Sequence, residues 1–144
     1  MHFKIGQVSR RANVAVETLR FYETRGLVSP AGRTASGYRY YDASIFKRLE
    51  FISKSQAIGF SLDEIARIID EASQGKRPCV EVRRLAAERL EALDCKITQL
   101  KRYRRELSKT VESWQREGDS DGEICGLIEA LDRDKLHPPS RRGR

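Results

Sequence analysis

Three cysteines (Cys79, Cys95, Cys125) and two histidines (His2, His137) are the only thiol and imidazole donors in this 144-residue chain. An odd, sparse cysteine set, with no charged-then-apolar leader at Met1, favours free thiols in a reducing cytoplasm over a disulfide framework. A closely spaced four-cysteine set is missing, which argues against an iron–sulfur cluster. There is no phosphate-binding glycine loop and no nucleophile beside a base, so an enzyme is not expected. The remaining chemistry is cationic. Ten Lys and Arg stand against four acids in residues 1–54, so that third carries +6 of the net +7. A basic third beside a nearly neutral remainder is what a localised polyanion site looks like, although a solvated basic surface would carry the same charge.

The elements that must position these cations follow from spacing. Ile5, Val8 and Ala12 mark a short helix, Asn13-Val14-Ala15 a tight break, and Val16–Gly26 (V-E-T-L-R-F-Y-E-T-R-G) a second helix. Two short helices about such a turn form a helix-turn-helix, whose second helix can enter a DNA major groove. Arg20 on that helix can donate a bidentate contact to guanine or phosphate. Gly26 and Pro30 end it. Residues 33–41 then read as a hairpin around Ser36-Gly37. Such a hairpin is a wing, with Arg33 and Arg39 flanking its tip within reach of phosphates or the minor groove.

Asp42 is a plausible cap for a helix from Ala43 to about Ala57, with Ile45, Leu49 and Ile52 inward and Phe46 beside them. Ser61 and Glu64 form a capping box that opens another helix to about Ala72. Residues 73–78 are a polar break. From Val80 to Gln115, Ala86, Leu90, Leu93, Ile97, Leu100, Arg104, Leu107, Val111 and Trp114 alternate spacings of four and three, a coiled-coil pattern on a helix ~54 Å long. A rod of this kind needs a partner stripe, and a symmetric homodimer is the simplest supply; packing against its own globule is the other. Glu117–Gly122 reads as a flexible acidic loop and Ile124–Leu131 as a short apolar helix. No run approaches ~18 apolar residues, so no membrane span is expected.

With these pieces in place the chain resembles the MerR family of bacterial transcription regulators, most of all its heavy-metal, mercury-regulator-like branch. The resemblance covers residues 4 to about 131. It rests on I-G-Q-V-S-R-R-A (Ile5–Ala12), V-E-T-L-R-F-Y-E (Val16–Glu23), G-L-V (Gly26–Val28), G-Y-R-Y-Y (Gly37–Tyr41) and G-F-S-L-D-E-I (Gly59–Ile65). It implies a mainly α fold: a winged helix-turn-helix DNA-binding domain (1–73), a hinge and antiparallel dimerisation helix (74–115) and an effector loop with a short helix (116–131); beyond the resemblance, residues 132–144 read as a disordered basic tail, since His137 to Arg144 lacks apolar residues. The implied partners are double-stranded promoter DNA, a second copy of the chain, and RNA polymerase at a promoter whose spacer the effector-bound dimer bends and untwists. On the recognition helix Glu17, Thr18, Arg20 and Tyr22 match DNA-facing positions, and on the wing Tyr38 and Arg39. Phe21, Tyr40 and Tyr41 are expected to pack instead.

The same resemblance implies a metal site. In the mercury branch one thiolate comes from the start of the dimer helix of one subunit and two from the loop of the other. Cys79 and Cys125 match the outer positions, from opposite subunits, but the middle one falls at Trp114. Two thiolates suit a thiophilic ion such as Hg(II) or another soft heavy metal, and fall short of four-coordinate zinc unless Glu81, Asp119, Asp121 or Glu123 joins. Cys95 reads as a structural or incidental thiol. Trp114 is open to three readings: an apolar plug, a cover over a two-thiolate site, or the wall of a pocket for an organic or oxidising effector. The alternatives to metal sensing are that organic or redox effector, or an accessory DNA-binding protein with no effector.

Overall fold

The computed structural model describes residues 1–140 and divides into two units, Met1–Ala87 and Glu88 onward. In the first, α1 (Ile5–Ala12) and α2 (Val16–Thr24) are separated by Asn13, which takes the left-handed conformation (φ 53°) that the short polar side chain of Asn tolerates. Gly26, at φ 74°, ends α2, and the Leu27 N–H closes back on the Tyr22 carbonyl at 2.9 Å.

The wing is a two-stranded hairpin, β1 (Gly32–Arg33) and β2 (Arg39–Tyr40), with Gly32 opposite Tyr40 and Arg33 opposite Arg39. Its tip closes through Gly37 N–H to Thr34 O, 2.8 Å. The N-terminal segment is fastened to the base of the wing by a reciprocal backbone pair between Phe3 and Tyr41. α3 (Ser44–Ile58) buries Ile45, Leu49 and Ile52, with Phe46 edge-on to Phe3. Backbone geometry puts the cap of α3 at Ala43 rather than Asp42. Asp42 still supplies the acceptor: its Oδ1 takes the Ser44 N–H at 2.8 Å as well as the Ser44 hydroxyl, which holds the carboxyl below its ordinary range. α4 (Leu62–Ser73) opens on a capping box. The Glu64 N–H donates to Ser61 Oγ at 3.2 Å and the Ser61 N–H to Glu64 Oε2 at 2.9 Å.

α5 runs from Cys79 to Glu117. Its opening turns complete the first unit's core: Leu85 is buried there with Val82 and Ala86 packed alongside, and the centre is Val8, Leu19, Leu27, Tyr41, Ile52 and Ile65.

In the second unit the picture reverses. Leu90, Leu93, Ile97, Leu100, Leu107 and Val111 are all exposed along α5. α6 is only Gly126–Glu129, shorter than the predicted Ile124–Leu131, because Cys125 is its cap and the chain before it is committed to the loop. Gly126 is buried where a Cβ would lie 2.6 Å from the Ser120 and Asp121 carbonyl oxygens, so the loop closes this tightly only around glycine. The tail expected to lack structure carries a turn of 3-10 helix at Arg133–Lys135, where Asp132 accepts from the Asp134 N–H; residues 141–144 of that tail lie outside the described residues. Among the described residues, no helix is long and apolar enough to cross a membrane.

Candidate nucleic-acid interface and effector end

Two groups stand out among the cations of the first unit. Several are committed to the fold. The Arg11 guanidinium lies over the rings of Phe3 (5.0 Å) and Phe46 (4.9 Å), Arg48 donates to the Leu27 carbonyl at 3.2 Å, and Lys54 pairs with Glu50 at 2.9 Å. Five others gather around one groove of about 460 Å³, between the start of α1, the outer face of α2 and the wing. Lys4, Arg10, Arg20, Arg33 and Arg39 line it, with Gln7 and Tyr38. Five cationic side chains around one concavity can take a polyanion, and their guanidinium groups match phosphate oxygens and guanine edges alike.

The wing's place against α2 is fixed by Glu23. Its half-buried carboxylate accepts the Tyr41 hydroxyl and lies 3.8 Å from Arg39 Nε. Arg33 Nη1 donates to the Gly37 carbonyl at 3.0 Å, so the tip is held by one of the cations it presents.

The expected site residues fall unevenly. Glu17 and Arg20 are exposed and Thr18 is half-buried on the outer side of α2, while Arg33, Tyr38 and Arg39 are exposed on the wing. Tyr22 is a core residue, with 9% of its surface left open, so packing claims its ring and any DNA contact is restricted to that edge. The expectation for Phe21 is overturned. It is 46% exposed, because Leu19 and Tyr22, three residues apart, take the inward side of the helix and turn Phe21 out. Tyr41 is buried as expected, and Tyr40 packs against the His2 ring with centroids 4.3 Å apart. Lys4, Gln7 and Arg10 were missed by sequence reasoning. Their three-residue spacing, which puts them on one side of α1, was the available signal.

Of the thiols, Cys79 is the exposed first residue of α5, and Cys125 is the half-buried cap of α6. Cys95 is exposed along α5, its sulfur 3.8 Å from Gln99 Nε2. Among the described residues, no group of three or more His, Cys, Asp and Glu that could hold a metal forms within one chain. The acids near the two matched thiols differ in availability. Glu81 is held by Arg84 through Nε–Oε2 at 2.9 Å and Nη2–Oε1 at 2.5 Å, a fork that keeps its carboxyl below the ordinary range. Asp119, Asp121 and Glu123 are exposed. Glu129 is turned onto the loop backbone, accepting from the Glu123 (3.1 Å) and Ile124 (3.2 Å) N–H groups.

Trp114 lines a pocket of about 580 Å³ within the second unit. Leu127, Ala130, Leu131 and Leu136 supply its apolar side, and Glu106, Lys109, Glu117, Asp132 and Lys135 its charged side. This volume would accept a small organic molecule.

Known proteins carry the same architecture. Residues 3–72 match the family model described as MerR HTH family regulatory protein, and residues 46–110 the one described as MerR, DNA binding. The chain is 35% identical over 127 residues to an uncharacterized HTH-type transcriptional regulator of Pseudomonas aeruginosa, covering 88% of this chain and 94% of that one. It is 33% identical over 131 residues to the mercuric resistance operon regulatory protein of Bacillus cereus, covering 91% and 98%. Among solved structures it is similar to the transcription regulator PbrR691 from Ralstonia metallidurans in complex with lead(II), with a TM-score of 0.73, 29% identity, and coverage of 90% of this chain and 99% of that one.

Proposed function

The chain belongs to the MerR family of transcription regulators, and from that premise we propose a homodimeric promoter switch driven by a thiophilic metal ion. One observation carries the DNA-reading half: Lys4, Arg10, Arg20, Arg33 and Arg39 converge on one groove, apart from Arg11 and Arg48, which are committed to the fold. α2 of each protomer enters a major groove, where Arg20 and Thr18 meet base edges or phosphates, and the wing's Arg33, Tyr38 and Arg39 hold the flanking backbone. Dimerisation is supported by the apolar stripe of α5, which the described residues leave exposed. Bending and untwisting the spacer for RNA polymerase costs of order 1–6 kcal/mol, a scale that effector binding can meet.

The effector half rests on the donor set. Cys79 of one protomer and Cys125 of the other would hold the ion; when bound, it would tie the start of one dimer helix to the loop of its partner. The soft thiolate pair favours mercury or another heavy metal, in keeping with the metal-responsive relatives. A second reading, a small organic effector, is favoured by the pocket on Trp114.

Metal stoichiometry of the purified dimer separates the two. About one thiophilic ion per pair of matched thiols is expected in the wild type, with loss in both Cys79→Ser and Cys125→Ser. Unchanged binding in both variants would remove this metal site, and a reporter silent to every metal but responsive to an organic or oxidising compound would favour the second reading.

A further inference from the structure

One side chain on the outer face of α2 differs from all its neighbours. With Leu19 and Tyr22 in the core, the helix presents Glu17, Arg20, Phe21, Thr24 and Arg25 to solvent and Thr18 half-buried. A lone exposed apolar residue elsewhere on a surface needs no explanation. Here the ring stands on the solvent side of α2, next to the groove residue Arg20, and it is braced. The Arg25 guanidinium lies over Phe21 at 5.2 Å, and Arg25 Nη1 is itself held by Asp63 Oδ1 at 2.9 Å from the first turn of α4. The ring is thus backed by a cation that is anchored to a second helix.

In the major groove, the one apolar group that a base pair offers is the thymine 5-methyl. We propose that Phe21 packs on a thymine methyl in each half-site and is a specificity-determining residue of the DNA reader. The proposal rests on the reading of α2 as the major-groove helix. Arg20 and Thr18 recognise polar edges or phosphate, whereas Phe21 selects T·A at one position by its methyl alone. Arg25 keeps the ring turned outward and places a positive charge beside it, toward the phosphates.

Replacing thymine by uracil removes that methyl and leaves the protein and the Watson–Crick edges untouched. The segment of promoter DNA protected by the full-length protein is synthesised with each thymine in turn replaced by uracil, symmetrically in both half-sites. Binding is then measured by fluorescence anisotropy at fixed salt. The wild type is expected to lose about four-fold per methyl at one thymine position and to ignore the rest. Phe21→Ala should bind thymine and uracil DNA alike, near the wild type's affinity for the uracil site, and Phe21→Leu should regain part of the preference. Indifference of the wild type to every replacement overturns the proposal, as does a Phe21→Ala variant that keeps the full thymine preference. If the wild type protects no promoter segment, the DNA-reader assignment falls with it. Specific protection with uniform indifference to uracil sinks only the role of Phe21.

Discussion

The two units treat their apolar residues in opposite ways. Among the described residues, every buried hydrophobic side chain lies at or before Leu85, in the first unit. Beyond it the leucines and isoleucines of α5 stand open, and Ile124 is 94% exposed beside Cys125. The first unit closes a core from four helices, a wing and the opening turns of α5, so the backbone that presents its cations is ordered before any DNA arrives. The second has aliphatic side chains at heptad spacing that its described residues leave exposed. A preorganised reader costs little ordering on binding, whereas a stripe that gains its burial only from a partner makes that half of the molecule responsive to assembly. The functional division therefore follows from where the chain can and cannot finish a core.

The sharpest way to break this contrast is to place a charge on the open stripe. Leu100→Asp forfeits burial worth ~1.5–3 kcal/mol in each protomer and sets two carboxylates into an apolar seam. Analytical ultracentrifugation should find monomer at concentrations where the wild type is dimeric. A tryptic fragment spanning the first unit should resist digestion as before. Loss of both together would mean that the first unit depends on the second, contrary to the division drawn above.

Arg20→Ala attacks the reader and spares the seam. A bidentate base contact is worth about 1–3 kcal/mol, so two protomers lose about 2–6 kcal/mol, at least roughly thirty-fold in operator affinity. Sedimentation should still give a dimer. Operator binding retained at moderate salt would take Arg20 off the list of DNA contacts.

What the sequence made legible, and what it did not, follows the same boundary between local and tertiary causes. Elements set by local chemistry were readable: the Ser61 capping box, the stop at Gly59, the Ser36-Gly37 turn and the heptads of α5 all need only neighbours a few residues away. The rotation of α2 was harder. Phe21 and Tyr22 are adjacent and point about 100° apart, so only the phase set by Leu19 decides which is buried, and that i, i+3 signal favoured Tyr22. The charge count overstated the DNA surface for a tertiary reason. Nothing local marks Arg11 as lying over Phe3 and Phe46, or Arg48 as bonded to Leu27, so structural cations and groove cations counted alike. The pocket on Trp114 joins side chains of α5 to residues more than ten positions later, brought near by a loop that closes on Gly126. Periodicity is blind to contacts of that kind.

The mildest test concerns how far the reader's stability can be lowered without touching what it reads. Ser61→Ala removes the side-chain acceptor of the Glu64 N–H at the start of α4 and keeps the backbone N–H that Glu64 Oε2 accepts, a change worth about 1 kcal/mol. The site is exposed and lies outside the cationic groove. Thermal unfolding followed by circular dichroism should shift down by a few degrees, while operator affinity at a temperature well below the transition stays within about two-fold of wild type. The first turn of α4 also carries Asp63, which anchors Arg25 and through it backs Phe21. If Ser61→Ala instead weakens discrimination between thymine and uracil DNA, the cap acts through that brace on the recognition face, and the reader is less rigid than its closed core implies.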